Sequence, residues 1–319
     1  MSSWRRDLRA IAMTDPGPGR QFAVIFRGLR VAAAMGAAGC LLASCATRGT
    51  AAGSGPAISG RPGRATPAAA TSPASGLSWM LTRAALAQMI TQPAVRAGLA
   101  RSQVYQILQP GQRPLAVAGA VPVVTFSAVD GLRQAVTGQQ LPVGTRAVLY
   151  DPEAWSFTPH AEQVAPARAA RSALSLARAH GLRLIVAPAL NLSTVRPGLS
   201  GPRWRQFLEL DLAGQLAKVS NVIELQAQSL ERSTRTYRAF VRAAAAQARR
   251  ANPAVQVLAG LSTNPPGAVV TSRQLIAAIR ATKGLVDGYW LNVPGRGPRC
   301  PTCNAPQPDN GRQVLRAVL

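Results

Sequence analysis

The sequence predicts an α/β protein whose folded part is a (β/α) barrel, and three observations carry that expectation. Short apolar runs of the kind that become buried parallel strands recur along the chain. Alanine-rich stretches with helical periodicity separate them. Polar and aromatic residues gather directly after the apolar runs, where a barrel assembles its functional face.

Pro122 to Phe126 reads as the first strand and Ala147-Val148-Leu149-Tyr150 as the next, followed by a helix from Gln163 to His180 that Gly181 stops. Leu184-Ile185-Val186-Ala187 is the third strand, and a helix from Arg203 to Lys218 follows. Asn221 to Gln226 is the fourth, leading to a helix over Thr234 to Ala251. Val255 to Leu261 and Val286 to Leu291 complete the series, with a helix from Thr271 to Thr282 between them. Strand–helix alternation of this sort implies right-handed βαβ units. A doubly wound open sheet satisfies the same pattern, and six strands are few for eight units, so the expected barrel is trimmed or incomplete. The stretch from 80 to 120 reads as a helical cap or as a helix ahead of the first strand. No G-x-G-x-x-G follows the first strand and no Walker sequence occurs, which argues against the common nucleotide-binding sheets.

Ahead of the barrel, expected over 79–319, two segments have other duties. Arg20, Arg27 and Arg30 precede the apolar run Val31 to Ser44, which is shorter than the ~20 residues a membrane-spanning helix needs. That is the layout of an export signal. Leu42-Ala43-Ser44-Cys45 has the small residues before a thiol that lipoprotein processing requires, so 1–45 is read as a lipoprotein signal with Cys45 the lipidated residue. Cys40 also follows small residues but lacks the upstream leucine. Residues 46–78 are Gly, Ala, Pro, Ser and Thr with a few arginines. Such a composition cannot bury enough apolar surface to offset ordering entropy, and it reads as a disordered tether. The expectation is a protein held by lipid on the outer face of the cell membrane, or secreted.

The net charge of +24 comes from 36 basic residues against 12 acidic ones. Only Lys218 and Lys283 are lysines, and the arginines are dispersed without stacking aromatics or a nucleic-acid motif, so no nucleic-acid partner is expected. Attraction to anionic lipid or acidic wall polymer fits the charge better.

The strand ends supply the candidate site. Tyr150, Asp151, Glu153 and Trp155 follow the second strand and Asn191 the third. Glu224, Gln226 and Gln228 alternate on one face of the fourth. Asn264 follows the fifth, and Tyr289, Trp290 and Asn292 close the sixth. Tyr-Asp-Pro-Glu at a strand end, the run ELQAQ and the closing DGYWLN resemble an uncharacterised group of exported bacterial lipoproteins. These are similar in outline to glycoside hydrolases built on the TIM barrel, over about residues 120–319.

That resemblance implies glycosidic cleavage by two carboxylates, or, on the same fold, a non-catalytic glycan- or ligand-binding surface protein. Glu153 is then the general acid, beside an indole that helps desolvate it, and Glu224 the base or nucleophile, with Asp151 and Asp287 as lesser candidates. Trp155, Tyr289 and Trp290 offer faces to sugar rings, and Tyr150, Asn191, Gln226, Gln228, Asn264 and Asn292 complete the expected binding set. The Asp-x-Glu of Asp151 and Glu153 also matches the end of a chitinase-type catalytic strand, without the longer acidic series of that family. Cys300 and Cys303 are expected to form a local disulfide in an oxidising compartment. His160 and His180 lie far from them in sequence, and no metal site and no cofactor are expected.

Overall fold

A computed structural model describes residues 76–266 and 268–319. The predicted signal, the lipidation site Cys45 and nearly all of the predicted tether lie outside the described residues.

The described chain is a closed barrel of eight parallel strands in sequential order. β1 (Ser78–Thr82) leads through α1 (Arg83–Met89) and α2 (Pro93–Ala100) to β2 (Val104–Leu108). A helix-free loop connects β2 to β3 (Ala120–Phe126), and α3 (Val129–Thr137) leads to β4 (Ala147–Tyr150). Then come α4 (His160–Val164), α5 (Pro166–Ala179), β5 (Arg183–Val186), a 3-10 turn at Leu190–Val195, α6 (Arg203–Glu209) and α7 (Leu212–Ala217). β6 (Val222–Leu225), α8 (Thr234–Ala251), β7 (Gln256–Ser262), α9 (Ser272–Thr282), β8 (Gly288–Asn292) and α10 (Pro308–Val318) complete it.

The barrel is therefore complete, and the open-sheet alternative falls with the pairing of β1 to β8. The two strands missing from the sequence reading are β1 and β2. They occupy the stretch expected to be a helical cap, and they pair in register from Trp79 with Val104 to Thr82 with Ile107. Both are five residues long and buried on both faces, so neither alternation nor length marks them. Gly288 lets the seam close: a Cβ there would stand 2.0 Å from the Ser78 carbonyl oxygen.

Two predicted helices are divided. Pro166 cannot donate its amide, so it opens α5 as a new helix rather than continuing α4. Between α6 and α7, Asp211 takes a left-handed conformation (φ 48°) that breaks the helix expected over Arg203 to Lys218. Gly181 ends α5 as expected, at φ 68° just after the cap residue His180.

Two apolar layers hold the fold. Inside the barrel lie Met80, Tyr105, Val123, Leu149, Ile185 and Leu258 among others. Outside, alternate strand residues meet the helices. α8 turns Tyr237, Phe240, Val241, Ala244 and Ala248 inward at three- and four-residue spacing. α5 does the same with Ala169, Ala170, Ala173 and Ala177, whose small side chains let it sit close to the sheet. Ser233 caps α8, and a Thr271–Gln274 capping box starts α9. At the amino-terminal mouth, Ser78, Gln103, Tyr105, Arg183 and Gln256 close the barrel with a polar network.

Candidate functional site

The carboxyl ends of the strands surround a cleft of roughly 730 Å³. Alternation decides what reaches it. On β4, Leu149 points into the barrel and Tyr150 out toward the helices, so Asp151, next in the alternation, faces the cleft. On β6 the same rule directs Val222, Glu224 and Gln226 inward at successive heights.

Asp151 is nearly buried, and the Gln226 amide donates to its Oδ1 at 2.7 Å and to the Ala187 carbonyl at 2.8 Å. Pro152 and Glu153 begin a tight loop. The Thr158 hydroxyl accepts from the Glu153 amide at 3.3 Å and from the Trp155 indole at 2.9 Å. Gln163 donates to the carbonyls of Trp155 and Thr158, so Glu153 and Trp155 stand on a braced segment. Asn191 accepts from the Ala154 amide at 2.9 Å and lines the cleft beside them.

Burial pushes Asp151 up to about 7, against the pull of the Arg299 charge and the Gln226 hydrogen bond. Glu153 is pushed to about 8 by burial and by the Asp151 charge, while Asn191 and Arg299 draw it back. Two adjacent carboxyls held near neutrality are the usual raw material of proton-transfer chemistry.

Glu224 lies elsewhere than the sequence reading placed it. It is fully buried inside the barrel, does not line the cleft, and neither carboxylate oxygen has a hydrogen-bond partner among the described residues. Burial, then the charges of Asp151 and Glu153, raise it well above the usual carboxylate range.

Four further expectations are corrected. Tyr150 faces the outer layer, where its hydroxyl donates to Glu162 at 2.9 Å, linking β4 to α4. Tyr289 also points outward, against Trp79 and the Thr282 hydroxyl. Both follow from strand alternation: Trp290 and Asp151, their neighbours, take the inward positions. Asn264 is buried and donates to the carbonyls of Pro294, Asn304 and Ala305, holding the last loop rather than facing the cleft. Asp287 sits at the far end of β8, paired with Arg249 at 3.1 Å.

Trp155, Asn191, Gln226, Gln228, Trp290 and Asn292 do line the cleft, with Gln228 resting against Gly260. The sequence reading missed Phe157, Arg299, Thr82 and Gln109 in its walls. Thr82 and Gln109 follow the two unrecognised strands, so finding those strands would have found them. Arg299 comes from the loop after β8, which the Cys300–Cys303 disulfide closes as expected. Glu231, also missed, is buried behind the site; its Oε1 accepts from the Ser262 amide at 2.9 Å and its Oε2 has no hydrogen-bond partner among the described residues. Burial pushes it up to about 7 against three backbone hydrogen bonds. Among the described residues no cluster of three His, Cys, Asp or Glu is disposed to hold a metal ion.

No family model and no curated protein matches this chain. Solved structures match it at low identity. The spore cortex-lytic enzyme SleL of Bacillus megaterium QM B1551 is 11% identical, over 78% of this chain and 75% of that one, with a TM-score of 0.41. A chitinase from Chromobacterium violaceum ATCC 12472 is 10% identical over 76% and 100%, at 0.44. A sugar phosphate isomerase/epimerase from Parabacteroides distasonis ATCC 8503 is 9% identical over 76% and 93%, at 0.42.

Proposed function

We propose that this chain is an exported, lipid-anchored protein whose barrel cleaves a glycosidic bond in a cell-envelope or environmental polysaccharide. One observation carries the reading. Asp151 and Glu153, both raised toward neutrality, share a cleft with the faces of Trp155, Phe157 and Trp290. Flat apolar faces suit sugar rings, and the amides of Asn191, Gln226 and Gln228 suit their hydroxyls.

Protonated Glu153 donates to the glycosidic oxygen as the bond to the leaving sugar breaks. Asp151 faces the positive charge that develops on the ring; water adds to the anomeric carbon, forming the new C–O bond, and gives its proton to a carboxylate of the pair. With Glu224 below the floor, Asp151 takes the second carboxylate's part. Cys45 supplies the anchor and 46–78 the reach, from the lipobox and composition alone.

The second reading is a non-catalytic glycan-binding protein, and the one-sided placement of the acids favours it: both come from the end of β4. Reducing-sugar release by the full chain from cell-wall and plant polysaccharides, beside Glu153→Gln, separates the two. Hydrolysis requires release that the variant loses by about 100-fold or more. It also requires a bell-shaped pH dependence set by the Asp151–Glu153 pair, rising as the first carboxyl ionises and falling as the second does, displaced above the usual carboxylate range by burial. Retention on a glycan array without release leaves the binding protein, and silence in both assays refutes both readings.

A further inference from the structure

Arg299 is the one cation among the described residues that lines the cleft. Its guanidinium carbon stands 5.8 Å from the ring centroids of both Trp155 and Phe157. It belongs to none of the three ion pairs among the described residues, and it approaches Asp151 and Glu153 only closely enough to act on their titration. Its planar fork of donors is thus spent on no protein partner, at a point where two aromatic faces meet the cleft.

The loop that carries it is built to hold still. Gly297 and Cys300 exchange backbone hydrogen bonds, the disulfide closes the next turn, and Asn264 clamps three carbonyls of the same loop from beneath. These contacts set the Arg299 backbone, while its exposed side chain rests by the two aromatic rings and offers a planar fork of donors. Glu153 is held toward its neutral form by burial and by the Asp151 charge, so an arriving negative group faces one ionised acid rather than two, with Arg299 beside it.

We infer that Arg299 reads the carboxylate of an acidic sugar, so that the polymer taken by this cleft is a uronate-bearing glycan. The inference rests on the glycan reading above and adds the substrate's charge. A ring stacked on Trp155 or Phe157 presents an equatorial carboxylate to the guanidinium, whose parallel N–H groups donate to both oxygens at once. Occupation of Arg299 also withdraws its pull from Glu153, which keeps the proton donor charged with its proton in the complex.

The test is titration calorimetry of the full chain with short galacturonate, mannuronate and glucuronate-containing oligosaccharides. Each is run beside its carboxyl-reduced counterpart and a sulfated oligosaccharide of similar length. The expected result is a preference of about tenfold for at least one uronate over its reduced form. That preference shrinks in high salt, collapses in Arg299→Gln, and survives in Arg280→Gln, which removes an equal charge from the outer face of α9. Thermal unfolding verifies that both variants are folded. Equal affinity for acidic and reduced forms overturns the inference while leaving the glycan reading intact. So does a preference that Arg299→Gln retains. A stronger preference for the sulfated oligosaccharide replaces the carboxylate with a sulfate. Binding to no oligosaccharide, acidic or neutral, refutes the glycan reading and this inference together.

Discussion

Replacing Glu231 with glutamine should make the protein more stable at alkaline pH and leave it unchanged at acid pH. Glu231 is fully buried and is pushed up to about 7 in the fold, against 4.5 for an exposed glutamate in the unfolded chain. Below 4.5 both states hold the proton and the group does not affect stability. As pH rises from there, the unfolded chain releases the proton while the folded chain retains it, so stability is lost up to about 7 and the loss then levels off. The gap between the two values corresponds to about 3 kcal/mol, at 1.36 kcal/mol for each pH unit. Glutamine keeps the acceptor that receives the Ser262 amide and places an uncharged group where Oε2 stood. Urea unfolding at pH 3.5 and 8.5 is the assay, since the other raised acids contribute equally to both proteins and cancel in the comparison. The variants should coincide at the lower pH and differ by about 3 kcal/mol at the higher. A difference that stays constant across the range refutes the reasoning, because it would mean that Glu231 does not change its protonation on folding.

Glu224→Met should stabilise the fold by about 1–3 kcal/mol at pH 7, because it replaces a buried carboxyl without partners by an apolar chain of similar length. Urea unfolding measures this, and unchanged turnover in the variant would place Glu224 outside the chemistry. Replacing Cys300 and Cys303 together by serine should cost at most about 2 kcal/mol in thermal unfolding, since so short a loop confines little chain entropy. The same variant should weaken ligand binding disproportionately, because the loop positions Arg299; calorimetry that finds affinity untouched contradicts that role.

The sequence by itself determined the strands from Pro122 onward, the helices α5, α8 and α9 with the stop at Gly181, and the placement of polar residues at strand ends. These depend on local periodicity and end chemistry, which neighbouring residues carry. It did not reveal β1 and β2, whose five residues each are buried on both sides and so show no period. Alternation does predict that Tyr150 and Asp151 face opposite ways, yet which of them faces the cleft depends on which side of the strand is the barrel's interior. That is decided by closure of the sheet, as is the depth at which Glu224 lies below Gln226. Arg299 reached the cleft from a loop whose path is set by contacts made far away in the chain, through Asn264 on one side and Trp155 on the other. Local pattern thus fixed the elements, and only long-range packing fixed which side chains share the cleft, because burial and charge coupling are properties of the assembled barrel rather than of any one segment.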